Sequence, residues 1–317
     1  MKLLVSELEV LRTYVSREFY HVMRALITDF NWRHVETREL WNGSQSIRDT
    51  LLHHCDELPE VILFWEGYEL LTARALEIQR LPCRKAILAD DLHWWDVAMR
   101  SRKTVGFALC ETVISTVGYA WNRLYPEFAG TKKIVWVPHS ASPDFLVPYN
   151  PSPVNAIFVS GAAGNYYPLR DRVTELSQAG AYAIVRHDHP GYDTGYDYDQ
   201  NEAVGRGYAM KINSYRAAFT DSSRFHYVLA KYFEIPATGA LLVADDSVSG
   251  PLRQLGFVEN EHYVAVSADN LEEKIRFVLD ERNHDELDQV RRRGQQLVWE
   301  RHKSSDRARQ IDAACTQ

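Results

Sequence analysis

The chain has 317 residues, 45% hydrophobic and 25% charged, with a net charge of −7. That length exceeds what one core usually spans and points to two domains of about 150 residues. The composition excludes a largely disordered chain, and the acidity excludes the global basic surface that drives sequence-independent nucleic-acid binding, though not a local basic groove.

The opening "MKLLVSELEVLRTYVSREFY" carries Glu7, Glu9 and Arg12 where a leader would be apolar. "KLLVS" reads as a strand, and Leu11, Val15, Phe19, Val22, Leu26 and Ile27 fall at helical spacing behind it. Apolar runs at "EVILFW" (60–65), "RKAILADD" (84–91), "TVGFAL" (104–109) and "KIVWVP" (133–138) read as further strands, with helical patterns between several of them. Short buried strands separated by helices imply a largely parallel sheet covered on both faces. From 138 to 155, "PHSASPDFLVPYNPSPVN" holds five of the twelve prolines, too dense for helix or central strand. The alternation then restarts with "AIFVSG" (156–161), a helix over 169–180, "AYAIVRHD" (181–188) and "RAAFTD" (216–221). A helix over "FHYVLAKYFEI", the strands "ALLVADD" (240–246) and "HYVAVS" (262–267), and a helical region from Asn270 complete the chain.

The domains expected are therefore 1–145 and 146–317, the closing helix able to pack back on the first. The four cysteines (Cys55, Cys83, Cys110, Cys315) form no Cys-x-x-Cys pair, which argues against a zinc site and a disulfide framework. No run of about 18 apolar residues is present, so the expectation is a cytoplasmic protein without a transmembrane segment.

Two doubly wound domains place strand ends in a ligand cleft. In "FVSGAAGNYYPLR" a strand runs into a loop with Gly161 and Gly164 and then a helix start with Arg170, an arrangement that suits an anion such as pyrophosphate and equally suits a tight turn. In "KYFEIPATGALLVADD" Glu234 sits among apolar neighbours, with Lys231 one turn earlier. A carboxylate there can accept from two ribose hydroxyls while the lysine neutralises a phosphate; the competing reading is an internal Lys231–Glu234 ion pair. "VRHDHPGYD" gathers His187 and His189 without clear third and fourth metal ligands, and reads as a turn touching the nucleotide or simply solvated. In "ADDLHWWD" Asp91 or His93 could serve as base for an acceptor hydroxyl, with a helix cap by Asp90 or Asp91 as the alternative. "QVRRRGQQ" (289–296) reads as a solvated helix face.

"KYFEIPATGALLVADD", then "LGFVENEHYV", "NLEEKIRFVLD" and "RHKSSDRARQI" resemble in order the C-terminal domain of glycosyltransferases of the spore-maturation (CgeB-like) type, within the family 1-like group. "WVPHSASPDF" resembles that family's linker, and "ADDLHWWD" its aspartate-rich strand end. The resemblance covers roughly residues 84 to 311. It implies a GT-B fold, two Rossmann-like doubly wound α/β domains facing a central cleft, and a hexosyltransferase-like enzyme moving sugar from a nucleotide-diphosphate sugar, a UDP-sugar above all, without a metal or other cofactor. Glu234 then takes the ribose-binding position, and Lys231 a position usually held by arginine near the diphosphate. Related retaining enzymes often carry an acidic residue where this chain has His226. The expected donor-binding set is Gly161, Gly164, Arg170, His189, Lys231, Glu234 and Gly239, and the expected catalytic set Asp91, His93 and Lys231. The acceptor is open among saccharide, protein, small molecule and nucleic acid. The rival readings are a nucleotide-sugar epimerase or hydrolase of the same fold and a non-catalytic sugar-nucleotide-binding protein.

Overall fold

In the computed structural model, which describes residues 1–41, 44–162 and 164–317, the first sheet contains β1 (Lys2–Ser6), β2 (Trp32–Glu36), β3 (Val61–Trp65), β4 (Arg84–Ala89), β5 (Thr112–Ser115) and β6 (Lys133–Trp136). The second contains β7 (Val154–Ser160), β8 (Ile184–His187), β9 (Tyr215–Thr220), β10 (Leu241–Asp245) and β11 (Val264–Val266). The chain divides into two compact units, unit 1 with Met1–Arg12, Phe19–Pro138 and Ser305–Gln317, and unit 2 with Thr13–Glu18 and His139–Ser304. The changeover at Pro138 falls earlier than the expected 145. Within unit 2, His139 and Ser140 are tied to Glu18, and the Ala141 amide donates to the His302 carbonyl.

Unit 1 has strand order β2-β1-β3-β4-β5-β6, every pairing parallel. All five residues of β3 are buried, as expected where helices cover both faces of a sheet. The core packs Leu4, Met23, Leu26, Leu63 and Ile114 with Ala308 and Ile311 of the closing helix Ser304–Thr316. Asp312 of that helix accepts from Lys2 Nζ at 2.5 Å and Trp32 Nε1 at 2.8 Å.

Two elements of unit 1 differ from the sequence reading. "TVGFAL" is not a strand; it closes the helix Val97–Leu109, which Asp96 caps by accepting the Met99 amide. Lys103, Gly106 and Phe107 are its buried residues, a helical spacing concealed by the β-branched Thr104 and Val105. The helix expected through Leu11 to Ile27 is broken into Leu8–Leu11 and Glu18–Phe30. Between them, Thr13–Glu18 belongs to unit 2, where the Val15 amide donates to the Asp193 carbonyl at 3.2 Å.

Unit 2 has order β11-β10-β9-β7-β8, again all parallel. Its order reverses direction between β7 and β9, and open α/β sheets bind ligands beyond the strand C-termini at such a point. The helix expected over "FHYVLAKYFEI" shrinks to Lys231–Ala237, because His226 adopts a left-handed φ of 56° that ends any continuous helix. Arg291, expected on a solvated face, is buried and donates to the Gly239 and Asn150 carbonyls. All four cysteines are free and buried. No helix among the described residues is long and apolar enough to cross a membrane.

Candidate active site

The switch point of unit 2 is built from the last residue of β7, Ser160, and the glycine after it. Gly161 has φ +112°, and a Cβ there would lie 2.8 Å from Arg170 Nη1 and 3.3 Å from Lys231 Cε. Only a residue without a side chain leaves room for both cations beside this backbone. Their roles then diverge. Arg170, on the first turn of the helix Pro168–Gln178, is buried and committed internally: its Nη2 pairs with Asp221 at 2.9 Å, its amide donates to the same carboxylate at 3.0 Å, and its Nη1 donates to the Ala162 carbonyl at 2.8 Å. Lys231 instead donates to the hydroxyls of Tyr208 at 2.6 Å and Ser160 at 3.5 Å, and those hydroxyls bond to each other. Its ammonium is fixed at the strand end by neutral groups.

Glu234 follows one turn along the same short helix and is only 6% exposed. Among the described residues its carboxylate takes no hydrogen bond and no ion pair, from Lys231 or any other group. Burial first of all pushes its carboxyl up to about 7; Lys231 and His139 pull it down, and Glu18 and Asp144 push it up. A buried carboxylate left without a partner costs several kcal/mol, a cost that the raised carboxyl value reflects.

The surrounding wall comes from distant segments. Glu18 accepts from His139 Nδ1 at 2.8 Å and Ser140 Oγ at 2.9 Å. Arg17 grips Asp144 through Nη2 at 2.6 Å and Nε at 3.2 Å and lies 3.6 Å from the ring centre of Tyr198. The Tyr198 hydroxyl donates to the Tyr14 carbonyl, so the strap 13–18 orders the loop that follows β8. In that loop, burial and the charges of Lys231 and Arg170 lower His189 to about 4, while its Nδ1 accepts the Gly191 amide at 3.0 Å.

The fold brings Gly161, Arg170, His189, Lys231 and Glu234 into one neighbourhood. Gly164 is exposed, its amide donating to Asp171. Gly239 follows the Glu234 helix at φ +80° and packs on Tyr149 and Gln295, which makes it a terminator of the helix. His226 is exposed, in the turn before that helix.

Asp91 and His93 lie in unit 1, on the loop after β4. The Asp91 carboxylate is half exposed, 3.6 Å from Nδ1 of the buried His93. Lys103 staples the loop by donating to the Asp91 and His93 carbonyls. Neither Asp90 nor Asp91 caps the next helix, a role that falls to Asp96. Sequence reasoning missed Glu66, at the end of β3 with φ 56°, whose carboxyl burial and the neighbouring Asp90 raise to about 8 against the pull of Lys103. Also missed were Ser160 and Tyr208. The Glu-Gly pair after "VILFW" was a signal for Glu66; Tyr208 had none.

Residues 189–313 match a family model described as glycosyl transferase-like. No curated protein matches the chain. Among solved structures, an alpha-glucosyltransferase in complex with UDP-glucose and DNA containing an abasic site aligns over 99% of this chain and 98% of its own, with TM-score 0.62 and 10% identity. Anabaena Alr3699/HepE in complex with UDP and glucose aligns over 99% and 98%, with TM-score 0.60 and 10% identity. A glycosyltransferase from Rickettsia africae ESF-5 aligns over 99% and 97%, with TM-score 0.61 and 10% identity. The two parallel-sheet α/β units are those of a GT-B glycosyltransferase fold.

Proposed function

We propose that this protein is a glycosyltransferase that takes a sugar from a nucleotide-diphosphate sugar, a UDP-sugar above all, and delivers it to a hydroxyl acceptor. The observation that carries this reading is the buried, unpartnered carboxylate of Glu234 one turn from an ammonium held against Gly161. A ribose diol supplies the two donors the carboxylate lacks, and the diphosphate supplies the charge Lys231 lacks. The UDP and UDP-glucose bound by similarly folded proteins support the choice of donor. The finer kinship to CgeB-like enzymes belongs to the same proposal and rests on the motif order described above.

In transfer, the anomeric C–O bond breaks as negative charge grows on the leaving diphosphate. Lys231, preset by Ser160 and Tyr208, stabilises that charge without moving. In this reading the chain's own cation supplies the stabilisation, so turnover persists in EDTA. Asp91 and His93 are assigned to the acceptor hydroxyl; retention of anomeric configuration does not follow from the resemblance, because His226 stands where related retaining enzymes carry an acidic residue.

The test is a thermal-shift screen against uridine, guanosine, thymidine and cytidine diphosphate-sugars. At a hundredfold excess over Kd, a ligand of the folded state adds about 2.7 kcal/mol, a rise of roughly 5–10 °C. A shift confined to one base identifies the donor; no shift with any of them defeats the proposal. Consumption of donor without an acceptor would replace transfer by hydrolysis.

A further inference from the structure

Lys231 and Glu234 stand at i and i+3 on one helix, a spacing at which a lysine and a glutamate can pair. Glu234 is buried and Lys231 half-buried, surroundings that strengthen their attraction relative to a helix surface. Yet the ammonium points instead to two neutral oxygens, Tyr208 Oη at 2.6 Å and Ser160 Oγ at 3.5 Å. Tyr208 sits on the helix Gly205–Asn213. Its ring is wedged between Phe145 and Phe158, with centroids 6.0 and 6.1 Å away, so its hydroxyl is a rigid acceptor.

We infer that Tyr208 is a positioning residue that holds the Lys231 ammonium at the end of β7 and so prevents a Lys231–Glu234 ion pair that would occupy both ligand-binding groups at once. The inference deepens the donor-site reading and rests on it for its functional meaning. Its structural content stands separately: with the Tyr208 hydroxyl gone, Lys231 loses its shorter hydrogen bond and turns to the carboxylate one helical turn away. Glu234 then acquires the partner it lacks, and its proton leaves at lower pH. The other charged and titratable groups acting on Glu234 are Glu18, His139 and Asp144, with Tyr198 beside it and Arg17 held on Asp144. Tyr208→Phe alters none of them.

The experiment has two arms. In the first, the carboxyl stretch of Glu234 is titrated by infrared difference spectroscopy, subtracting Glu234→Gln, in the wild type and in Tyr208→Phe. The expected result is a midpoint near 7 in the wild type and one displaced toward the ordinary carboxylate range in the variant. In the second, binding of UDP and UMP at pH 7 is measured by calorimetry. Tyr208→Phe is expected to weaken UDP by about tenfold, the scale of one charged hydrogen bond, and to erase most of the preference for UDP over UMP. In a Lys231→Met background, Tyr208→Phe should have no further effect on UDP. Ser160→Ala, which removes the other hydroxyl, repeats the test should Tyr208→Phe fold poorly, and is expected to shift the midpoint in the same direction. An unchanged midpoint in both hydroxyl variants overturns the inference whatever UDP does. Equal losses of UDP and UMP, persisting without Lys231, also overturn it by showing a packing role. A displaced midpoint with no UDP binding in the wild type sustains the separation of charges and defeats the donor-site reading instead.

Discussion

Glu234→Gln should make the protein more stable and worse at binding its donor, and the two effects have one origin. Glutamine keeps the shape of the side chain and removes the charge. A carboxyl held at about 7 in the folded state, against an ordinary 4.5, resists ionising there while the unfolded chain ionises freely. The folded state then binds the extra proton between pH 4.5 and 7, so stability falls as pH rises through that window and stays low above it. The integrated loss is about 3 kcal/mol, undiminished by solvent because the side chain is buried. Relative to the wild type, the Glu234→Gln melting temperature should therefore climb by roughly 6–12 °C between pH 5 and pH 8. Calorimetry at pH 8 should show UDP binding weakened by about 10- to 150-fold, the loss expected for hydrogen bonds to a charged acceptor. Opposite movement of stability and affinity is the mark of a residue kept for its ligand. A stability difference that does not change with pH, or a Glu234→Gln protein less stable at pH 8, would refute the claim that the carboxylate lacks a partner.

Arg170→Leu tests the internal commitment of that arginine. Removing it strands the buried Asp221 and should cost about 3–5 kcal/mol in urea denaturation, whereas a normally stable variant with selective loss of UDP would make Arg170 a ligand contact. Gly161→Ala places a methyl 2.8 Å from Arg170 and 3.3 Å from Lys231 at φ +112°; it should destabilise by about 1–3 kcal/mol and weaken UDP more than uridine, both measurable on one purified variant.

Much of the fold was legible because each domain alternates apolar strands with helices, and this periodicity survives without any knowledge of contacts. "TVGFAL" failed because its β-branched residues imitate a strand over a window too short to show the helical return of Lys103, Gly106 and Phe107. The strap 13–18 failed for a different reason. Val15 continues the helical spacing, but its amide is used by Asp193 across a long sequence separation, and no local pattern encodes that choice. In the site, Glu234 was legible because a charge in an apolar run is anomalous within a few residues of sequence. Tyr208 was not, since an aromatic residue on an amphipathic helix looks the same whether its hydroxyl meets water or an ammonium.

What the sequence could least reveal is that the two opposite charges of "KYFE" stay apart. An exposed i,i+3 pair contributes only about 0.2–0.5 kcal/mol, so little is gained on a helix surface by making one. Inside unit 2 the balance is different: the carboxylate bears the cost of burial, and pairing with Lys231 would relieve it. The structure leaves the cost standing, and a ligand that offers hydroxyl donors to Glu234 and a phosphate to Lys231 recovers both sides together. A nucleoside satisfies only the carboxylate, and inorganic diphosphate only the ammonium. In the proposed donor-site reading, selection for a molecule containing both groups, at a spacing set by Gly161 and the single turn from Lys231 to Glu234, would arise from charges held apart, and the stability given up at Glu234 would be recovered on binding the donor.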